Sequence, residues 1–121
     1  MNTFDAIIIG AGQAGPSLAE RLSEAGQSVC LVERKFFGGT CVNTGCMPTK
    51  ALVASAYAAH LARRGADFGV VTGDIRIDMK KVSARSHKVT LDARTGVEKW
   101  LHGMKNVTVM TGHARCQNAT T

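Results

Sequence analysis

Two cysteines five positions apart, in Cys41-Val-Asn-Thr-Gly-Cys46, are the residues of this 121-residue sequence best suited to chemistry. On an ideal helix their Cα atoms would stand roughly 8.6 Å apart, from a rise of about 1.5 Å and a radius of about 2.3 Å. Disulfides rarely exceed about 7 Å between Cα atoms, so a bonded pair requires a break in the helix. Asn43 and Gly45 tolerate such a break, and Pro48 favours a helix starting afresh near Cys46 or Met47. Cys46 would then open a helix with Lys50 one turn on, an environment that favours a thiolate. Three readings compete. A zinc site wants four ligands, commonly in close cysteine pairs, but Cys30, Cys116 and the scattered His60, His87, His102 and His113 form no second cluster. Two unpaired buried thiols would do no chemistry. A redox dithiol is the favoured reading.

Gly10-Ala-Gly12-Gln-Ala-Gly15 carries a second chemistry. A GxGxxG turn gains meaning between an apolar strand and a helix, with an acid closing the next strand. Gly10 permits the tight turn, Gly12 lets backbone approach a pyrophosphate, and Gly15 lets the helix pack closely on the sheet. The helix N-terminus offers free N–H groups and the positive end of its dipole. Glu33 lies 18 residues after Gly15, where a carboxylate can accept from ribose hydroxyls and would repel a 2′-phosphate. NADP is therefore disfavoured in this turn, which by itself does not distinguish NAD from FAD.

The elements around these sites read as β–α–β. Phe4 to Ile9 is an almost uninterrupted apolar run, as in parallel strands. Ala14, Leu18, Leu22 and Ala25 recur at helical spacing, Gly26 stops that helix, and Ser28 to Glu33 reads as the next strand. A glycine-rich stretch from Phe37 leads to a helical region ending near Arg63 and Arg64. Val70 and Val71 suggest a short extended piece. From Asp78 to Met104 the stripe Met79, Val82, Val89, Ala93, Val97, Trp100, Leu101 and Met104 predicts a long amphipathic helix packed on the core. Val107 to Met110 reads as a strand, with a turn at Gly112 and a possible strand start near Thr121. The expected fold class is α/β: a Rossmann-like, doubly wound dinucleotide-binding fold, incomplete at its C-terminal end.

Composition limits the alternatives. A 45% hydrophobic content with 20% charged residues describes a globular chain. No apolar run approaches the roughly 20 residues of a membrane span, and no signal-peptide core is evident, so a soluble, cytoplasmic protein is expected. The formal charge of +6 is concentrated in Arg76, Lys80, Lys81, Arg85, Lys88, Arg94, Lys99 and Lys105. Without interleaved aromatics these read as a solvated or subunit-contacting helix face rather than a nucleic-acid site.

The segment Phe37-Gly-Gly-Thr-Cys-Val-Asn-Thr-Gly-Cys-Met-Pro-Thr-Lys50 closely resembles the active-site segment of the flavin-dependent pyridine nucleotide–disulfide oxidoreductases. Dihydrolipoyl dehydrogenase, glutathione reductase and mercuric reductase belong to that family. The resemblance runs from the opening Phe4-Asp-Ala-Ile-Ile-Ile-Gly to the strand and turn Val107 to Ala114, and the helix after Lys50 looks most like the mercuric-reductase-like branch. It implies FAD on this fold, with pyrophosphate on the Gly10–Gly15 turn and ribose on Glu33. It further implies that Gly39 and Thr40 line the cofactor, Lys50 lies near the flavin, and backbone around His113 and Ala114 approaches the adenine. Cys46 would be the flavin-proximal thiol in charge-transfer contact, and Cys41 the outer thiol that attacks substrate. Electrons would pass from NAD(P)H to FAD, to the Cys41–Cys46 disulfide, and on to a disulfide, dithiol-linked or metal-ion substrate.

The departures are equally specific. The family's second nucleotide-binding fold, the later strand completing the FAD fold, and the dimerisation domain with its His–Glu pair have no counterpart in residues 1–121. The chain is expected to be the N-terminal part of an FAD-binding domain, inactive by itself, from an enzyme that is a homodimer when complete. A non-catalytic FAD- or nucleotide-binding module, or a soft-metal-binding dithiol protein, is the alternative.

Overall fold

Three runs rich in β-branched residues become three parallel strands: β1 (Ala6–Ile9), β2 (Val29–Glu33) and β3 (Val107–Thr111). The computed structural model describes residues 2–118, so the strand start expected near Thr121 falls partly outside the described residues. β2 lies between its neighbours, with Ala6 opposite Val29 and Val29 opposite Val107. β1 starts two residues later than the apolar run suggests, because Asp5 is occupied with Ser28. The Ser28 N–H and hydroxyl donate to Asp5 Oδ2 at 2.8 and 2.7 Å, and the Asp5 N–H donates to the Ser28 carbonyl at 2.9 Å. That clamp joins the two strands just ahead of their ladder.

Parallel neighbours need crossover connections. Helix α1 (Ala14–Glu24) carries the chain from β1 to β2. Between β2 and β3 come α2 (Gly39–Asn43), α3 (Cys46–Arg63), a 3₁₀ turn (Gly65–Phe68) and the long α4 (Met79–His102). Asp78 caps α4, its carboxylate accepting from the Lys81 N–H at 3.1 Å. Ile8, Ala19, Val29, Leu31, Phe37 and Leu101 form the core between one sheet face and the helices, with Leu22, Val97, Met104, Val107 and Val109 packed against it. On the opposite face Ile7 is 58% and Ile9 61% exposed. Among the described residues this is the first part of a doubly wound fold. No described helix is long and apolar enough to cross a membrane.

Two expectations are corrected. Val70 and Val71 form no strand and stand exposed, since no neighbouring strand offers them a ladder. The stripe on α4 is only half right. Leu101 is fully buried and Val97 and Met104 pack on the core, but Met79 is exposed and the Trp100 indole turns outward to donate to Glu20 at 3.0 Å. In the first half of α4 the buried residues are Ser86 and Thr90. That half packs on α3, whose nearby surface includes backbone carbonyls, rather than on the apolar sheet.

Candidate functional site

The glycine turn after β1 leaves no room for side chains where the backbone comes closest. Gly10 has φ of 103°, and its N–H donates to the Val32 carbonyl at 2.8 Å. A Cβ on Gly15 would stand 2.2 Å from the Gly10 carbonyl oxygen, so only glycine lets α1 start this close to the strand. Around Gly12, by contrast, a Cβ would meet nothing within 4 Å. No side chain caps α1 and no acid occupies its first turn, so its leading amides face that open space. A pyrophosphate fits this cradle: it would accept the free N–H groups and sit at the positive dipole end.

Glu33 closes β2 beside the turn. Its carboxylate accepts from the Ala11 N–H and the Lys35 N–H, each at 2.8 Å. Those bonds use one lone pair on each oxygen of an acceptor with about four, so ribose hydroxyls can still be received. Gly10, Glu33, His113 and Ala114 line one cleft of 210 Å³. Glu33 and Ala114, named from sequence for ribose and adenine, thus share a wall with the first glycine.

The dithiol segment is stitched to the same turn. The Gly38 N–H donates to the Ala11 carbonyl at 2.7 Å, and Gln13 Nε2 donates to the Gly38 carbonyl at 3.1 Å. Gly39 has φ of 61°, and a Cβ there would meet Gly12 Cα at 2.8 Å. Gly38 and Gln13 were not singled out in the sequence. The glycine pair before Thr40 was the available signal for Gly38, whereas nothing local marks Gln13.

Cys41 lies within α2 and Cys46 opens α3. The break expected between them is present: Thr44 ends α2, and Gly45 has φ −123° and ψ −110°. Both cysteines are free thiols here. The hydrogen bond between Cys41 and Cys46 holds the Cys41 thiol above its ordinary range, with desolvation and the Cys46 charge adding to it, while Lys50 pulls the other way. The cation of Lys50 is thus placed to act on Cys41. Thr40 is exposed on α2, its carbonyl accepting from the Thr44 N–H at 2.9 Å. Among the described residues no group of three or more His, Cys, Asp or Glu could hold a metal ion.

From the sequence, Asn43 is only a residue tolerant of the break. In the structure its Nδ2 donates to the Phe37 and Gly39 carbonyls at 2.9 and 2.8 Å, and its Oδ1 accepts from Arg94 Nε at 2.7 Å. Arg85 reaches the Ala51 carbonyl and Ser55 on α3. Of the eight clustered basic residues, Arg94 thus turns onto the dithiol segment and Arg85 onto α3, instead of lying on a purely solvated face.

Residues 4–120 match the model of the pyridine nucleotide-disulphide oxidoreductase family. The dihydrolipoyl dehydrogenase of Chlorobaculum parvum is 42% identical over 92% of this chain and 24% of its own length. That of Mycobacterium leprae is 34% identical over 100% of this chain and 26% of its own. Among solved structures, the Cu(II) complex of the HOCl-induced flavoprotein disulfide reductase RclA from Escherichia coli superposes with a TM-score of 0.79. It is 34% identical, over 98% of this chain and 23% of that one. The chain spans about a quarter of the length of the relatives it matches. With its glycine turn and its dithiol stitched into one site, it belongs to the pyridine nucleotide-disulphide oxidoreductase family.

Proposed function

We propose that these 121 residues form the N-terminal part of the FAD-binding domain of an NAD(P)H-linked disulfide oxidoreductase, with Cys41 and Cys46 as its redox pair. The observation that carries the reading is the junction of the two sites: Gly39, two residues before Cys41, leaves no room for a Cβ against Gly12 of the turn. FAD would be held by the α1 amides and Gly10, Gly12 and Gly15, with Glu33 on its ribose and the backbone at Ala114 near its adenine. When bound, it supplies the two electrons that return the disulfide to the dithiol.

The chain's own residues perform the exchange. Cys41, the outer thiol, attacks one sulfur of a substrate disulfide, giving a mixed disulfide and releasing the first substrate thiol. Cys46 then attacks the Cys41 sulfur and releases the second. One disulfide closes in the protein as one opens in the substrate, and the two protons of the dithiol leave on the two product thiols. Lys50 favours the thiolate form of Cys41 within this cycle.

The nicotinamide site and a dimerisation domain belong, on this reading, to parts of a longer homodimeric, cytoplasmic enzyme, and residues 1–121 do not turn over by themselves. The helix after Lys50 supports a mercuric-reductase-like branch. The relatives support a disulfide or dithiol-linked acceptor, and a metal-ion acceptor is the remaining member of the same class. Adding FAD to the purified chain and desalting it tests the site. Flavin should be retained by the parent and lost from Gly12→Ala; if the parent passes flavin into the small-molecule fraction, the 121 residues hold no FAD site of their own.

A further inference from the structure

One face of α4 turns Ser86 and Arg94 onto the dithiol segment, and their partners lie on either side of its break. Ser86 Oγ donates to the Pro48 carbonyl at 3.2 Å, and Arg94 Nε donates to Asn43 Oδ1 at 2.7 Å. Ser86, Thr90 and Arg94 follow at four-residue intervals, so they share one face of the helix. Asn43 is the last residue of α2 before its cap Thr44, and its amide ties that end back to the Phe37 and Gly39 carbonyls at the start. Turned end for end, the amide would aim its NH₂ at a guanidinium and its oxygen at two carbonyls. Arg94 therefore fixes the orientation in which Asn43 can close α2. The guanidinium is itself fixed by the Phe36 ring, whose centroid lies 4.0 Å away.

We propose that Arg94 is a positioning residue for the redox pair: acting through Asn43, it holds α2 so that Cys41 and Cys46 can interconvert between dithiol and disulfide without rebuilding the segment. This rests on the reading of the two cysteines as a redox pair. Two groups held in reacting geometry join far more favourably than the same groups on a loose chain, so the brace raises the equilibrium constant for closing the disulfide. Its agent is geometry. Lys50 is the cation that acts on Cys41.

The full chain, without flavin, is equilibrated in oxidised and reduced dithiothreitol, quenched by alkylation and analysed by mass spectrometry. Closing the protein disulfide sends two electrons and two protons to the reagent, whose own S–S bond opens. Arg94→Met should lower the equilibrium constant about tenfold, equivalent to about 30 mV. Arg94→Lys, which keeps the charge but not the planar fork, should shift it in the same direction. Added to Asn43→Ala, Arg94→Met should have little further effect. A constant within about twofold of the parent in Arg94→Met, a parental value in Arg94→Lys, or full additivity with Asn43→Ala overturns the proposal. If Arg94→Met fails to fold, Arg94→Lys decides. Failure of the parent to form a Cys41–Cys46 disulfide at all would instead sink the redox-pair reading and this inference with it.

Discussion

At its closest contacts the glycine turn is backbone packed on backbone, with no room for a side chain at Gly15 or Gly39, whereas the dithiol segment is held by side chains arriving from a distant helix. At the turn, Gly15 meets the Gly10 carbonyl and Gly39 meets Gly12. At the dithiol, Asn43 is oriented by Arg94, 51 residues on, and Pro48 is held by Ser86, 38 residues on. A turn of the first kind fails by collision. A segment of the second kind fails by loosening, and its chemistry changes before its fold does.

The largest expected effect lies in the turn. Gly15→Ala should cost about 3 kcal/mol in urea unfolding, at the upper end of overpacking penalties, because its Cβ collides with a backbone oxygen. Gly12→Ala points into open space and should leave stability within about 0.5 kcal/mol of the parent while abolishing flavin retention. Equal destabilisation by both variants would erase the distinction between a packing glycine and a ligand-facing one.

On the dithiol side the effects are smaller and opposite in sign along one helix face. Ser86→Ala, which removes the hydroxyl's bond to the Pro48 carbonyl, should destabilise by about 1 kcal/mol in the same unfolding assay. Thr90→Val should stabilise by about 1 kcal/mol, because the buried Thr90 hydroxyl has no partner to lose. Two losses of equal size would mean that the face is simply packed, with no directed bond to the segment.

The smallest effect is on reactivity. Cys41 holds its proton chiefly through the hydrogen bond to Cys46, so Cys46→Ala should move the pH profile of Cys41 alkylation to lower pH and speed the reaction at neutral pH. The linked stability has a definite sign: a thiol raised in the folded state from 9.0 contributes stability below that value, and loses it as pH rises through the folded value. That alkaline loss should shrink in Cys46→Ala, which urea unfolding across the thiol range would detect.

What was legible in the sequence follows the same division. The strand, turn, helix and acid from β1 to Glu33 are contiguous, and each glycine's task is set by neighbours a few residues away. The break between α2 and α3 was equally readable, since Asn43, Gly45 and Pro48 mark it locally. The buried face of α4 was misread in its first half because apolar periodicity assumes an apolar partner, whereas Ser86 meets a backbone carbonyl. The pairing of Arg94 with Asn43 has no local signature. Its trace in the sequence is the spacing of Ser86, Thr90 and Arg94, which becomes meaningful once α2 is known to lie opposite.

The most direct test of the central claim, that turn and dithiol form one redox site, is the visible absorption spectrum of the FAD-loaded chain, oxidised and then reduced with dithiothreitol. The predicted result is a new long-wavelength band on reduction that is absent from Cys46→Ala, marking a thiolate in contact with the flavin. Retained flavin whose spectrum is the same in the parent and in Cys46→Ala, before and after reduction, would contradict it.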